Sequence, residues 1–271
     1  MPVLHMKEFQ NYKKLDIIEK YNKKNEKPTL YIITDDVDDK VKTYMKSKLK
    51  MAQELGIRAE KKVVKTIEEL EELSEQVNME DIYCICQLPI AKELEEYYKN
   101  NIYLFNDVDG MKALETSLIQ NSYYNIPATP KGIMEHIKFN HIPLRGKNVV
   151  IMGRGELVGK PLSILMINEG ATVSILTSKT DIQFKKLVLK EADIVICATG
   201  VKGSVKTSEL SDTKKVIVYN VGTCFENNKL TTELLIDIDK SNIFYTDRIG
   251  AVGVCTVLSL FDNLVSSAIW D

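Results

Sequence analysis

Histidine and pairable cysteine are scarce in this chain, and each scarcity narrows its chemistry. The three histidines, His5, His136 and His141, form no HExxH or triad-like pattern, which argues against zinc or histidine catalysis. The five cysteines, Cys84, Cys86, Cys197, Cys224 and Cys255, are odd in number and mostly inside apolar runs. They read as reduced, buried thiols of a cytoplasmic protein. Cys84 and Cys86 alternate along one strand, with no second Cys/His pair to complete a zinc site, so no metal is expected. No apolar run approaches the roughly 20 residues of a membrane helix. The opening MPVLHMKEFQNYKK has no signal-peptide core. A net charge of −2 gives no broad pull toward nucleic acid or an anionic membrane, and neither is expected as a partner. What is left is an ordinary globular composition, long enough at 271 residues for one large or two modest domains.

The most informative stretch is Lys147 to Pro161, KNVVIMGRGELVGKP. An apolar run, Val149 to Met152, leads into Gly153-Arg154-Gly155, with Gly159 six residues after Gly153. A helical segment follows, closed by Glu169-Gly170, and a second apolar run, ATVSILT, begins at Ala171. Strand, glycine turn, helix and strand make one βαβ unit of the dinucleotide-binding kind. Glycines there permit the tight turn, let a pyrophosphate approach the backbone and let helix and strand pack closely. The helix N-terminus offers free N–H groups to phosphate. The plainer reading is a glycine-bearing turn with no ligand.

Upstream, residues 38–55 read as a helix stopped by Gly56. Its apolar stripe runs Val41, Tyr44, Met45, Lys48, Leu49 and Ala52, so Lys48 takes an inward register with Tyr44 one turn before it. An inward lysine is costly unless it lines a pocket or its stem carries the ammonium out to solvent. The strand DIYCIC, Asp81 to Cys86, ends directly on Gln87. Ligands of wound α/β sheets sit beyond such strand ends, but polar loop residues do too. Asp107-Val108-Asp109-Gly110 lacks the rest of a calcium loop and reads as an Asx-type turn. Further strands, ADIVICAT and KVIVYNV, complete a strand–helix alternation that implies a parallel, wound sheet.

Taken together, the segments at Tyr44 to Ile57, Gln87-Leu88-Pro89, Asp107 to Gly110, Pro127 to Gly132, Gly153 to Pro161, Thr177 to Thr180, Ala192 to Gly200 and Gly250 to Thr256 carry a resemblance. In order and spacing the chain resembles the methylenetetrahydrofolate dehydrogenase/methenyltetrahydrofolate cyclohydrolase family over nearly its whole length. The resemblance implies an α/β fold of two α/β domains flanking a cleft, the second a Rossmann-type dinucleotide-binding domain. It assigns 1–136 to a folate-binding, catalytic domain onto which the helix 255–271 packs back, and 137–254 to the NADP domain. It implies NADP-dependent oxidation of methylenetetrahydrofolate, hydrolysis of the resulting methenyl cation to formyltetrahydrofolate, and a homodimer. It makes Lys48 the general base, Tyr44 its partner and Gln87 the residue that orients it. Tyr44, Gln87, Leu88, Pro89 and Asp109 would bind the folate, Asp109 taking the pterin N–H groups. Gly153, Arg154, Gly155, Gly159, Thr177, Ser178, Thr199 and Gly200 would bind the cofactor.

The chain departs from that family's pattern on the cofactor side. The phosphate turn usually reads GRS; here Gly155 replaces the serine. The histidine before SKT is Thr177. The stretch 247–256, DRIGAVGVCT, has none of the prolines of the usual PVPGGVGPMT. Lost prolines free the chain, so a looser segment and a dehydrogenase weak relative to the hydrolase are expected. The rival readings are a cyclohydrolase with a reduced dehydrogenase, and a folate- or nucleotide-binding relative without catalysis. An inward lysine has no use in a pure binder.

Overall fold

The computed structural model describes residues 2–4, 6–37, 39–79, 81–111, 126–226, 229–246 and 251–267. The chain opens with a short strand, β1 (Val3–Leu4), and helix α1 (Lys7–Lys23). Then β2 (Thr29–Thr34), α2 (Asp39–Leu55), β3 (Ala59–Val63), α3 (Ile67–Met79), β4 (Ile82–Cys86) and α4 (Lys92–Asn100) alternate. Their strands form a parallel sheet of order β3-β2-β4. Central β2 is an unbroken β-favouring run, TLYIIT, as a strand covered on both faces must be. Ile33, Leu70, Val77, Cys84, Leu94 and Phe105 form its core, with Tyr98 tilted against Phe105 at 4.6 Å.

Downstream come α5 (Ala128–Phe139), β5 (Asn148–Met152), α6 (Gly159–Asn168), β6 (Thr172–Leu176), α7 (Ile182–Glu191) and β7 (Ile194–Cys197). Short β8 (Val205–Lys206), then β9 (Val216–Asn220), the hairpin β10 (Thr223–Glu226) with β11 (Lys229–Thr232), β12 (Leu234–Leu235) and β13 (Ile243–Thr246) follow. The last helix is α8 (Ala251–Ser267). A six-stranded sheet, parallel at every pairing, has the order β1-β13-β9-β7-β5-β6. Its core includes Val150, Val195, Cys197, Val216, Val218 and Leu234. The chain is thus α/β with wound parallel sheets, as the strand–helix alternation implied, and its second half has the Rossmann-type order around β5.

Two compact units result. Residues 1–10 and 129–256 make one; residues 11–128 and the stretch from Val257 make the other. The first strand therefore lies in the nucleotide-type sheet, where Val3 pairs with Tyr245 and Leu4 with Thr246, and not with the rest of 1–136. Two apolar residues are too short a run to announce a strand.

The stretch 247–256 also differs from its expectation. Residues 247–250 lie outside the described residues. From Ala251 onward the chain is already helical, four residues before the helix read at Cys255. With no proline to block it, the α conformation extends toward the N-terminus. Gln10 Nε2 donates to the Ala251 carbonyl at 3.1 Å, and Thr256 Oγ1 to Val252 O at 3.1 Å. From Ala251 that stretch is therefore helix where a loop was expected.

Candidate active site

One group of candidate residues gathers at the carboxyl ends of β2 and β4. The register pairs Ile33 with Cys86, so the next residue, Gln87, donates its N–H to the Ile33 carbonyl at 2.9 Å. Gln87 is 8% exposed. Its Nε2 donates to Leu88 O at 2.9 Å, which turns Oε1 toward α2. There Lys48 Nζ donates to Oε1 at 2.6 Å. The two residues that sequence alone left as a snorkelling lysine or a loop glutamine are thus a bonded pair. Burial pushes the Lys48 pKa below the ordinary lysine range, while the Asp109 charge opposes that shift.

Asp109 stands in the expected Asx-type turn, half-buried. The turn is organised by Asp107, whose carboxylate accepts from Met111 N at 2.7 Å, Tyr98 Oη at 3.2 Å and Asp109 N at 3.4 Å. Burial, and then the adjacent Asp109 charge, push the Asp107 pKa up to about 7. From α8, Asn263 Nδ2 donates to Val108 O at 2.9 Å and to Ile126 O at 3.0 Å. Leu88 is half-buried and Pro89 exposed beside this group.

Tyr44 departs from its expected inward position: it is 41% exposed. At 3.6 residues per turn it lies about 80° around the helix from Ala52, whereas Lys48 lies only about 40° away. The stripe's edge, not its centre, falls at Tyr44.

The other group sits on the six-stranded sheet. Gly153 closes β5 at φ +104°, where a Cβ would come within 2.5 Å of the Ala198 carbonyl. Gly159 opens α6, and a Cβ there would overlap the Gly153 carbonyl. Both close approaches are the packing a dinucleotide-binding turn requires. Gly155 has open space around its Cβ position, so its replacement of serine removes a hydroxyl without a packing reason. Arg154 and Gly155 are exposed.

After β6, the turn at 177–180 is held by its own hydroxyls. Thr177 N donates to Thr180 Oγ1 at 2.9 Å, and Lys179 N to Thr177 Oγ1 at 3.2 Å; Ser178 and Lys179 are exposed. The next acid, Asp181, is spent as the N-cap of α7, accepting from Gln183 N and Phe184 N at 3.0 Å each. After β7, Thr199 and Gly200 are exposed, but their backbone N–H groups are directed at Glu233, at 2.6 to 3.0 Å. Glu233 carried no sequence signal: it is one acid in TTELL. Among the described residues no three His, Cys, Asp or Glu side chains lie together as a metal site needs, and no helix is long and apolar enough to cross a membrane.

Glycine, hydroxyl and Thr-Gly turns thus follow three neighbouring parallel strands, β5, β6 and β7, at the end of the sheet where α/β enzymes hold dinucleotides. By fold and site the protein is an α/β enzyme of the dinucleotide-binding class. Its residues 127–270 match the family model of the tetrahydrofolate dehydrogenase/cyclohydrolase NAD(P)-binding domain. Over 266 residues the chain is 34% identical to the bifunctional protein FolD of Listeria innocua, covering 92% of this chain and 90% of that one. It is 35% identical to the bifunctional protein FolD of Clostridium tetani over 240 residues, 82% of this chain and 81% of that one. The crystal structure of the bifunctional enzyme FolD, a methylenetetrahydrofolate dehydrogenase/cyclohydrolase from Campylobacter jejuni, matches with a TM-score of 0.86 at 28% identity, covering 99% of this chain and 98% of that one. The chain belongs to the tetrahydrofolate dehydrogenase/cyclohydrolase family.

Proposed function

We infer that the protein oxidises 5,10-methylenetetrahydrofolate with NADP and hydrolyses the methenyl product to 10-formyltetrahydrofolate. The observation that carries the reading is the Lys48–Gln87 bond at 2.6 Å, with Asp109 near enough to act on the lysine's charge. A free amine with a lowered pKa is a general base usable near neutral pH. The methenyl carbon is cationic and is attacked by water; Lys48 takes the proton that the water loses. The carbon–N5 bond then breaks, N5 takes up a proton, and the hydroxyl loses its own to become the formyl carbonyl. One proton is released overall. A cationic substrate further disfavours the ammonium form of Lys48. Gln87 keeps the amine aimed, Asp109 accepts from the pterin N–H groups, and Tyr44, Leu88 and Pro89 lie along the folate.

Bound NADP supplies the acceptor for the hydride of the methylene carbon. The glycine turn and the N-terminus of α6 suit its pyrophosphate: the backbone packs so closely at Gly153 and Gly159 that neither position admits a Cβ, as the tight turn of such a site requires. NAD-binding folds usually place an acid beyond the second strand to hold the ribose hydroxyls. Here Asp181 is committed to its cap, while Ser178, Thr177, Lys179 and Arg154 offer hydroxyls and positive charge to a 2′-phosphate. NADP is therefore expected to give the higher kcat/KM in assays matched for cofactor concentration, and equal or better use of NAD would overturn that preference.

A homodimer of cytoplasmic location completes the proposal. Strand β6 is an outer strand of its sheet with Ile175 exposed, and α7 leaves Ile182, Phe184 and Leu187 uncovered. An outer strand and exposed apolar side chains favour burial against a second copy. Sedimentation equilibrium should give twice the 30.8 kDa chain mass; a monomer at micromolar concentration would refute it. The five thiols, all free and buried, suit a reducing compartment.

A further inference from the structure

Glu233 is 0% exposed, and its carboxylate receives four donor groups. Thr199 N lies 2.9 and 3.0 Å from its two oxygens, Gly200 N 2.6 Å from Oε1, and Thr199 Oγ1 and Ser204 Oγ 2.6 and 2.9 Å from Oε2. Its backbone carbonyl accepts from Gly203 N at 2.8 Å. One residue therefore ties down both ends of the turn 199–204. Glu233 is itself anchored through its neighbour: Leu234 N donates to Asn220 Oδ1 at 3.0 Å, at the end of β9. The space for the carboxylate exists because residue 222 is glycine; a Cβ there would overlap Oε1.

The turn so held lies against the glycine cradle. Ala198 O is the atom nearest the Cβ position of Gly153, and the Thr199 side chain lies 3.5 Å from it. We propose that Glu233 is a positioning residue for the dinucleotide: without touching it, the carboxylate fixes the turn that walls the site opposite Gly153. The proposal rests on the oxidation reading above. It also redefines Thr199 and Gly200. Their N–H groups are already satisfied by the protein, so they shape the site and do not donate to phosphate.

Calorimetric titration with NADP, and amide hydrogen exchange at Thr199 and Gly200 in cofactor-free protein, test it. Glu233→Gln replaces one acceptor oxygen with an NH2 that faces donors. Gly222→Ala leaves the carboxylate in the chain but drives it from its place, so it separates displacement of the turn from loss of the acid. Both variants should weaken NADP binding by about 10-fold or more, the range for losing hydrogen bonds to a charged group. Both should speed exchange at the two amides and leave methenyl hydrolysis, which depends on Lys48, unchanged. Wild-type NADP affinity in Glu233→Gln, or unchanged exchange at Thr199 and Gly200, overturns the proposal. Equal loss of hydrolysis and NADP binding also overturns it, because it marks a general structural role. A wild-type protein that binds no NADP overturns the oxidation reading and this inference together, and that failure is seen before any substitution is made.

Discussion

Lys48→Met is expected to cut methenyl hydrolysis by on the order of 10²-fold or more, the contribution of a positioned base, in a protein that still folds and binds NADP. Methionine keeps the length of the lysine stem and its packing on α2. It removes the amine that takes the proton, and with it the 2.6 Å bond to Gln87 Oε1. Gln87 stays anchored through its Nε2 bond to Leu88 O and its N–H bond to Ile33 O. The pH profile adds a second check. Burial destabilises the ammonium, so the Lys48 pKa falls, and the neutral base is reached at lower pH than for a free lysine. Wild-type hydrolysis should rise with pH along a limb centred below the ordinary lysine range, and that limb should vanish in the variant. Hydrolysis within a few-fold of wild type, or a limb that survives the substitution, would remove Lys48 from the mechanism.

Gly159→Ala should have the mirror-image effect. The added Cβ would collide with the backbone carbonyl of Gly153, which no side-chain rotation relieves. Either α6 shifts away from β5 or the glycine turn opens, and both move the atoms that receive the pyrophosphate. Displacement on the scale of 1 Å costs about 10² in an oriented reaction. NADP reduction should therefore drop by roughly that factor. Lys48, Gln87 and Asp109 belong to the other compact unit, so hydrolysis of supplied methenyl substrate should change little. Steady-state rates for both half-reactions on one preparation decide it. Undiminished NADP reduction would mean that this cradle does not carry the cofactor. A parallel Gly155→Ala change has open space to enter and serves as the contrast.

The sheets and the glycine turn were legible because their signals are local. TLYIIT and NVVIM are short β-favouring runs of the kind a buried strand needs, and the glycine turn announces itself by residues without side chains. Lys48 was legible as a contradiction, a charge in an apolar register; its bond to Gln87 was not, since 39 residues separate the pair. Tyr44 was misplaced because a list of helical offsets treats the edge and the centre of a stripe alike. The missing prolines at 247–256 were read as freedom, yet from Ala251 the same absence permits helix. Glu233 and Asp107 were the hardest to read. Each acts by accepting N–H groups from a turn, and a lone acid in the sequence does not say which turn it serves.

The bonds from Asn263 to Val108 and Ile126 have a consequence for how the molecule is made. They join the Asp109 region to a helix at the far end of the chain, within the unit that contains residues 11–128 and the stretch from Val257. A ribosome delivers residues 11–128 first, yet their compact unit is incomplete until α8 emerges, with the nucleotide-type half synthesised in between. N-terminal domains commonly fold as units while synthesis continues; here that order is denied to the lysine-bearing half. Nascent chains arrested before Val257 should hold the β3-β2-β4 segment without its closing helix, exposed to proteases and chaperones, and the hydrolytic half is completed only after the nucleotide-type half has been synthesised.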